Sequence, residues 1–274
     1  MTATEGKPAP AWVRLLAAVG SPIALATALL FYFGWVRTRF QARALGYDPV
    51  VLQLSVQDYL LKSINVLFLP LVVLVLGLLI VQQQHRRVVH AARSRPRVRL
   101  AAIRAGRMMI RSWPIWLVVC VGMLALPATR LIAIPAALTV GLVLALYGQM
   151  LTRAVGSGSR WSGATTALVC VLLAFAVFWD TERIARATGE AFAKDILAYP
   201  WQLVAVTVFS EKRLEITADG VMESPLGEDS AYRYRYTGLR LLEGTRDRYV
   251  LMNEAGGQII VLRDEHGLRF EFSR

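Results

Sequence analysis

SINVLFLPLVVLVLGLLIVQ, residues 63–82, decides the class of this protein. Twenty residues at 1.5 Å per residue reach about 30 Å, the thickness of a bilayer's hydrocarbon core. The run holds no Asp, Glu, Lys or Arg. Water offers nothing to such a helix on any side, so the segment predicts a transmembrane span.

The flanks of this run set an orientation. Downstream, nine arginines precede the next apolar stretch: Arg86, Arg87, Arg93, Arg95, Arg97, Arg99, Arg104, Arg107 and Arg111, with no acid among them. Lys and Arg concentrate in cytoplasmic loops, so this segment is expected on the cytoplasmic side. Further apolar runs lie near residues 12–36, 113–126, 131–150 and 163–179, with a tight hairpin at Pro127–Arg130. Five spans place the N-terminus in the cytoplasm and everything after Trp179 outside the cell membrane. The first run is too long for a signal-peptide core and is read as retained.

Charge splits the chain in two. The first 179 residues carry 18 Lys/Arg against three acids, and the last 95 carry 13 against 16. Mean hydropathy is +0.46. The basic surplus sits with the apolar half, which favours anionic headgroups over nucleic acid as its partner.

Several helices are expected to outlast the membrane. After Trp35 the sequence VRTRFQARAL continues in helix formers to Gly46, a left-handed cap, with Pro49 beyond. The return helix starts at Ser55-Val-Gln-Asp58, a capping-box pattern. The fifth run continues through 180–198 as a helical stalk of a domain spanning 1–198. From 199 to 274 the apolar period becomes two: Val204, Val206, Val208, then Tyr232, Tyr234 and Tyr236 on one face with Arg233 and Arg235 on the other. Short strands near 248–252, 258–262 and 268–273 follow. The fold class is thus a membrane all-α part plus a small antiparallel β-domain, a barrel or rolled sheet.

No GxSxG, HExxH or P-loop is present, and neither Cys120 nor Cys170 belongs to a metal-ligand spacing. No catalytic residue, metal or cofactor is expected. Three sets of residues stand out instead. Arg97, Arg99, Arg104, Arg107 and Arg111 are candidates for lipid headgroups, with Ile103 and Ile110 placed to touch lipid; fixing topology alone would also account for them. Arg37, Arg39 and Arg43 are candidates for an outer vestibule or binding surface, or for complementing a helix C-terminus. Tyr232, Arg233, Tyr234, Arg235 and Tyr236 are candidates for a binding surface on the β-domain. Gly141, Ala145 and Gly148 make a small-residue strip suited to helix packing.

The segments Tyr32–Arg39 (YFGWVRTR) and Asp58–Leu71 (DYLLKSINVLFLPL) resemble uncharacterised polytopic membrane proteins of high-GC actinobacteria, a resemblance that implies no activity. Residues 214–272, with ITADGV, YRYRYTGLRLLE, RYVLM and QIIVL, resemble the β-meander of bacterial pleckstrin-homology-like domains. The function expected is non-enzymatic: an extracytoplasmic β-domain shown on a helical stalk to a protein partner, as a receptor, accessory, immunity-type factor or sensor. The alternative is a homo-oligomeric channel, and a membrane enzyme ranks third.

Overall fold

The computed structural model describes residues 22–124, 130–156, 161–227, 230–245 and 247–273. Six α-helices precede six strands among them: α1 (Pro22–Leu45), α2 (Val56–Ser94), α3 (Pro96–Arg111), α4 (Trp113–Leu124), α5 (Arg130–Ala154), α6 (Gly163–Ala198), β1 (Ala205–Ser210), β2 (Met222–Pro225), β3 (Tyr234–Gly244), β4 (Arg248–Asn253), β5 (Ile259–Arg263) and β6 (Leu268–Ser273).

Three helices are long and apolar enough to cross a membrane: Val56–Ser94, Ala133–Ala154 and Gly163–Ala198. The first expected span lies partly outside the described residues. The third is represented by α4, 12 residues long, and the expected hairpin at Pro127–Arg130 falls mainly outside the described residues.

Local chemistry sets the helix ends where the sequence placed them. Gly46 closes α1 at φ +85°, while the Tyr47 N–H donates to the Ala42 carbonyl at 3.0 Å, a Schellman-type stop. Before α2, Ser55 Oγ accepts from the Asp58 N–H, and Asp58 Oδ2 accepts from the Ser55 N–H at 2.8 Å. That reciprocal pair is a capping box. Between them, Asp48 Oδ1 accepts from the Val50 N–H at 2.9 Å and starts a 3-10 turn at Pro49–Leu52. Ser162 Oγ accepts from the Thr165 N–H at 3.0 Å at the start of α6. That helix runs 36 residues, about 54 Å, and stops two residues before Pro200.

The chain forms two compact units, Met1–Ile64 with Thr188–Arg274, and Asn65–Ala187. In the second, α3 and α4 run antiparallel to α5. Glycine allows this: a Cβ on Gly148 would stand 2.6 Å from the Gly106 carbonyl, and one on Gly141 would stand 2.9 Å from the Trp116 ring. The small-residue strip therefore does pack helices. Its partner Gly106, inside the arginine segment, carried no signal of that role. Ala92, Ala102, Leu151 and Val155 are buried together, with Ile103 against them. Ile103 and Ile110, expected to touch lipid, are half-buried against neighbouring helices. Ile103 joins this cluster, and Ile110 Cγ1 faces Gly148.

The first unit combines helix and sheet. All strand pairs are antiparallel, in the order β5-β4-β3-β1-β6, with β2 on β3. The sheet rolls: Tyr249 on β4 meets Phe270 on β6 with ring centroids 4.3 Å apart, although those strands are not neighbours. Val206, Val208, Tyr236, Leu239 and Leu251 fill the core, and Leu214 and Ile216 cover it from a non-strand segment. The β-domain does not stand alone on its stalk. Met252 is buried with Leu45, Ala193 and Ile196, so strand β4 shares a core with the ends of α1 and α6.

Candidate functional site

The polar junction between sheet and helices is the most densely built chemistry among the described residues. Two close crossings position it. A Cβ on Gly34 would fall 1.9 Å from the Tyr59 carbonyl oxygen, and one on Gly189 would fall 2.4 Å from that of Arg37. With hydrogen in those places, α1 lies against both the start of α2 and the end of α6 at backbone distance. Side chains near the crossings are consequently enclosed, including Arg37, Thr38 and Gln41.

Glu243, near the C-terminal end of β3, is the electrostatic hub. It pairs with Lys62 on α2, at side-chain exposures of 14% and 20%. Burial pushes Arg37 below its ordinary value, and the Glu243 charge opposes that shift. Burial likewise raises the Tyr47 phenol, and Glu243 adds to the rise. Tyr59 is raised by burial, then by Glu243 and Asp58. Arg248 Nη1 donates to the Val51 carbonyl at 2.8 Å, tying β4 to the loop between α1 and α2. Arg37 Nε, Tyr47 Oη, Glu243 Oε2 and Arg248 Nε are buried without a hydrogen-bond partner among the described residues. Such groups are costly to bury unpaired, so this junction is polar by construction and not a dry seal.

Two clefts open beside it. The larger, about 900 Å³, lies between Gln53–Asp58, Leu61 and Lys62 on one side and Glu243–Thr245 with Asp247 on the other. The smaller, about 550 Å³, is bounded by Trp35, Arg39, Arg43 and the Gly46–Val50 turn.

The structure sorts the expected residues differently from the sequence. Arg37 is 7% exposed, with its guanidinium over the Phe192 ring at 5.4 Å. It is an internal residue and does not line a vestibule. Arg39 stacks over Trp35 at 4.9 Å and borders the smaller cleft, as does exposed Arg43. On β3, Tyr236 is fully buried. Its hydroxyl accepts from the Leu214 N–H at 2.8 Å and donates to Glu223 at 3.2 Å, which makes it a core residue and not a binding-surface one. Tyr234 is half-buried against the same core, and Tyr232 leans on Phe209. Arg233 and Arg235 face solvent. They sit at and just before the opposite end of β3 from Glu243, eight to ten residues away, or roughly 26–33 Å of extended chain at about 3.3 Å per residue. Arg97, Arg99, Arg104, Arg107 and Arg111 are all exposed.

Sequence reasoning missed Lys62, Glu243 and Tyr47. Each is unremarkable alone, and only the fold brings them together. No protein-family model, curated protein or solved structure matches the chain.

Proposed function

We propose that the chain is a non-enzymatic integral membrane protein whose first unit is a binding module for a protein partner outside the membrane. The carrying observation is the shared construction of that unit. The α1–α2 loop, the end of α6 and the β-domain are joined through Met252, Arg248 and the Lys62–Glu243 pair, and the larger cleft opens along that joint. A ligand in this cleft touches helix and sheet at once.

The same reading takes five spans, an N-terminus in the cytoplasm and the β-domain outside a bacterial cell membrane. The joint supports one part of it: the α1–α2 loop and the C-terminal domain must share a side, since they pack together. The nine-arginine segment supports the choice of side. The channel alternative draws less support. Arg37 is internal, and residues 71–81 of α2 are an unbroken exposed apolar run that offers no polar wall.

Two measurements test this reading. In a background lacking Cys120 and Cys170, Ser230→Cys should react with a membrane-impermeant maleimide on intact cells; labelling only after permeabilisation overturns the orientation. A photo-crosslinking residue at Thr245, on the cleft wall, should give a discrete adduct in cells that the same residue at Leu74 does not. Identical patterns at both positions overturn the cleft as the binding surface.

A further inference from the structure

The arginines of the second unit do not form one patch. Seven of them fall into two tiers, and the tiers differ in what they can reach.

The apolar run of α2 ends at Val81, and Arg86 and Arg87 follow five and six residues on. At 1.5 Å per residue that is about 8–9 Å past the hydrocarbon edge. The headgroup layer is about 5–8 Å thick on each face, and a long basic side chain bends back towards the interface. Both residues are therefore within reach of lipid phosphates. Helix α3 returns to the same level. His85 meets Tyr147 with ring centroids 5.9 Å apart, and the next residue, Gly148, faces Met109 and Ile110. Arg111 follows directly, and then Trp113, 62% exposed at the start of apolar α4, where an interfacial indole belongs. Arg86, Arg87 and Arg111 thus share one level.

Arg93, Arg95, Arg97 and Arg99 occupy the other tier. They surround the turn from α2 into α3, which begins about 18 Å past Val81. That exceeds the headgroup layer by more than an arginine side chain recovers. The whole stretch from Tyr59 to Trp179 contains no acid, and none of Arg86, Arg87, Arg93, Arg95, Arg97, Arg99 and Arg111 enters an ion pair among the described residues. The first tier, the neck, consequently offers three uncompensated guanidinium groups at phosphate height, with Arg111 fixed by the Gly106–Gly148 crossing of α3 on α5.

We propose that Arg86, Arg87 and Arg111 form a binding tier for the phosphodiester of an anionic phospholipid in the leaflet on the arginine side. This rests on the reading that α2 crosses a bilayer. Of the expected headgroup residues it takes Arg111 and adds Arg86 and Arg87, while Arg97 and Arg99 fall in the other tier.

The test reconstitutes the full chain into phosphatidylcholine vesicles with trace spin-labelled phosphatidylglycerol or phosphatidylcholine, and reads the motionally restricted fraction. Flotation with the vesicles and resistance to alkaline extraction report separately on membrane insertion. A basic residue at an anionic leaflet changes partitioning about fivefold. The native chain should prefer phosphatidylglycerol by about fivefold or more, and Arg86→Gln/Arg87→Gln/Arg111→Gln should bring the preference below about twofold. Arg95→Gln/Arg97→Gln/Arg99→Gln should leave it unchanged. An inserted chain with no preference overturns the proposal. So does an equal or larger loss in the Arg95→Gln/Arg97→Gln/Arg99→Gln variant, which would assign the charge to diffuse attraction or to a soluble polyanion. Each variant is compared at matched helical circular dichroism, and a preference retained by a folded Arg86→Gln/Arg87→Gln/Arg111→Gln variant is likewise fatal.

Discussion

Removing the Lys62–Glu243 pair one partner at a time measures how firmly the sheet is held to the helices. The pair links the second turn of α2 to the end of β3 across 181 residues. Its side-chain exposures of 20% and 14% place it between an exposed pair, worth about 0.2–1 kcal/mol, and a fully buried one, where loss of one partner costs about 3–5 kcal/mol. Lys62→Met and Glu243→Gln should therefore each destabilise the unit by about 1–3 kcal/mol. Glu243→Gln belongs at the upper end, because Arg37 also loses its compensating charge. In the double variant neither charge is stranded, so the combined cost should fall short of the sum by about 1 kcal/mol or more. Pulse proteolysis of the full chain in detergent micelles across a urea series follows this unit. With a slope of about 1 kcal/mol per molar urea for a small domain, each single change moves the midpoint by about 1–3 M. Strict additivity would refute the reasoning, since it would mean the two groups do not sense each other and the pair does not fasten sheet to helix.

Tyr47→Phe removes a buried hydroxyl with no partner and should be neutral or mildly stabilising at pH 7. The Tyr47 phenol is held above its ordinary value of 10.0 by burial and then by Glu243. Its contribution is thus fully present below about pH 10 and is lost as pH climbs towards the higher folded value. Native protein should lose stability over that alkaline window in urea titrations, and the variant should lose less; identical alkaline slopes would contradict the assignment. Gly106→Leu should force α3 off α5, because its Cβ would lie 2.6 Å from Thr152 Cγ2 and 3.1 Å from the Gly148 carbonyl oxygen. A cost of about 1–3 kcal/mol should appear as faster tryptic cleavage at Arg104 and Arg107, and unchanged cleavage would show that the crossing holds nothing.

The elements most legible in the sequence are those governed by local rules. The Gly46 stop, the Ser55–Asp58 capping box and the long α6 depend on neighbours within a few residues, and all stand where the residue pattern puts them. The tyrosine–arginine alternation also separates the faces of β3 correctly. What it could not convey is which face meets the core, so Tyr236 looked like surface when it is the most enclosed aromatic of the sheet. Arg37 misled for a related reason. Next to a membrane span an arginine suggests solvent or headgroups, yet Gly189, 152 residues later, brings α6 close enough to enclose it. The Glu243 junction was illegible throughout, because its members come from α1, the following loop, α2, β3 and β4, and no window of sequence contains them.

The acid-free arginine segment has a consequence for regulation. From Tyr59 to Trp179 the lysine and arginine charge meets no carboxylate in the sequence. Its attraction for any polyanion is therefore governed by screening, with a reach of about 8 Å at physiological ionic strength. Salt concentration and the charge density of the surface it meets are the variables that tune it.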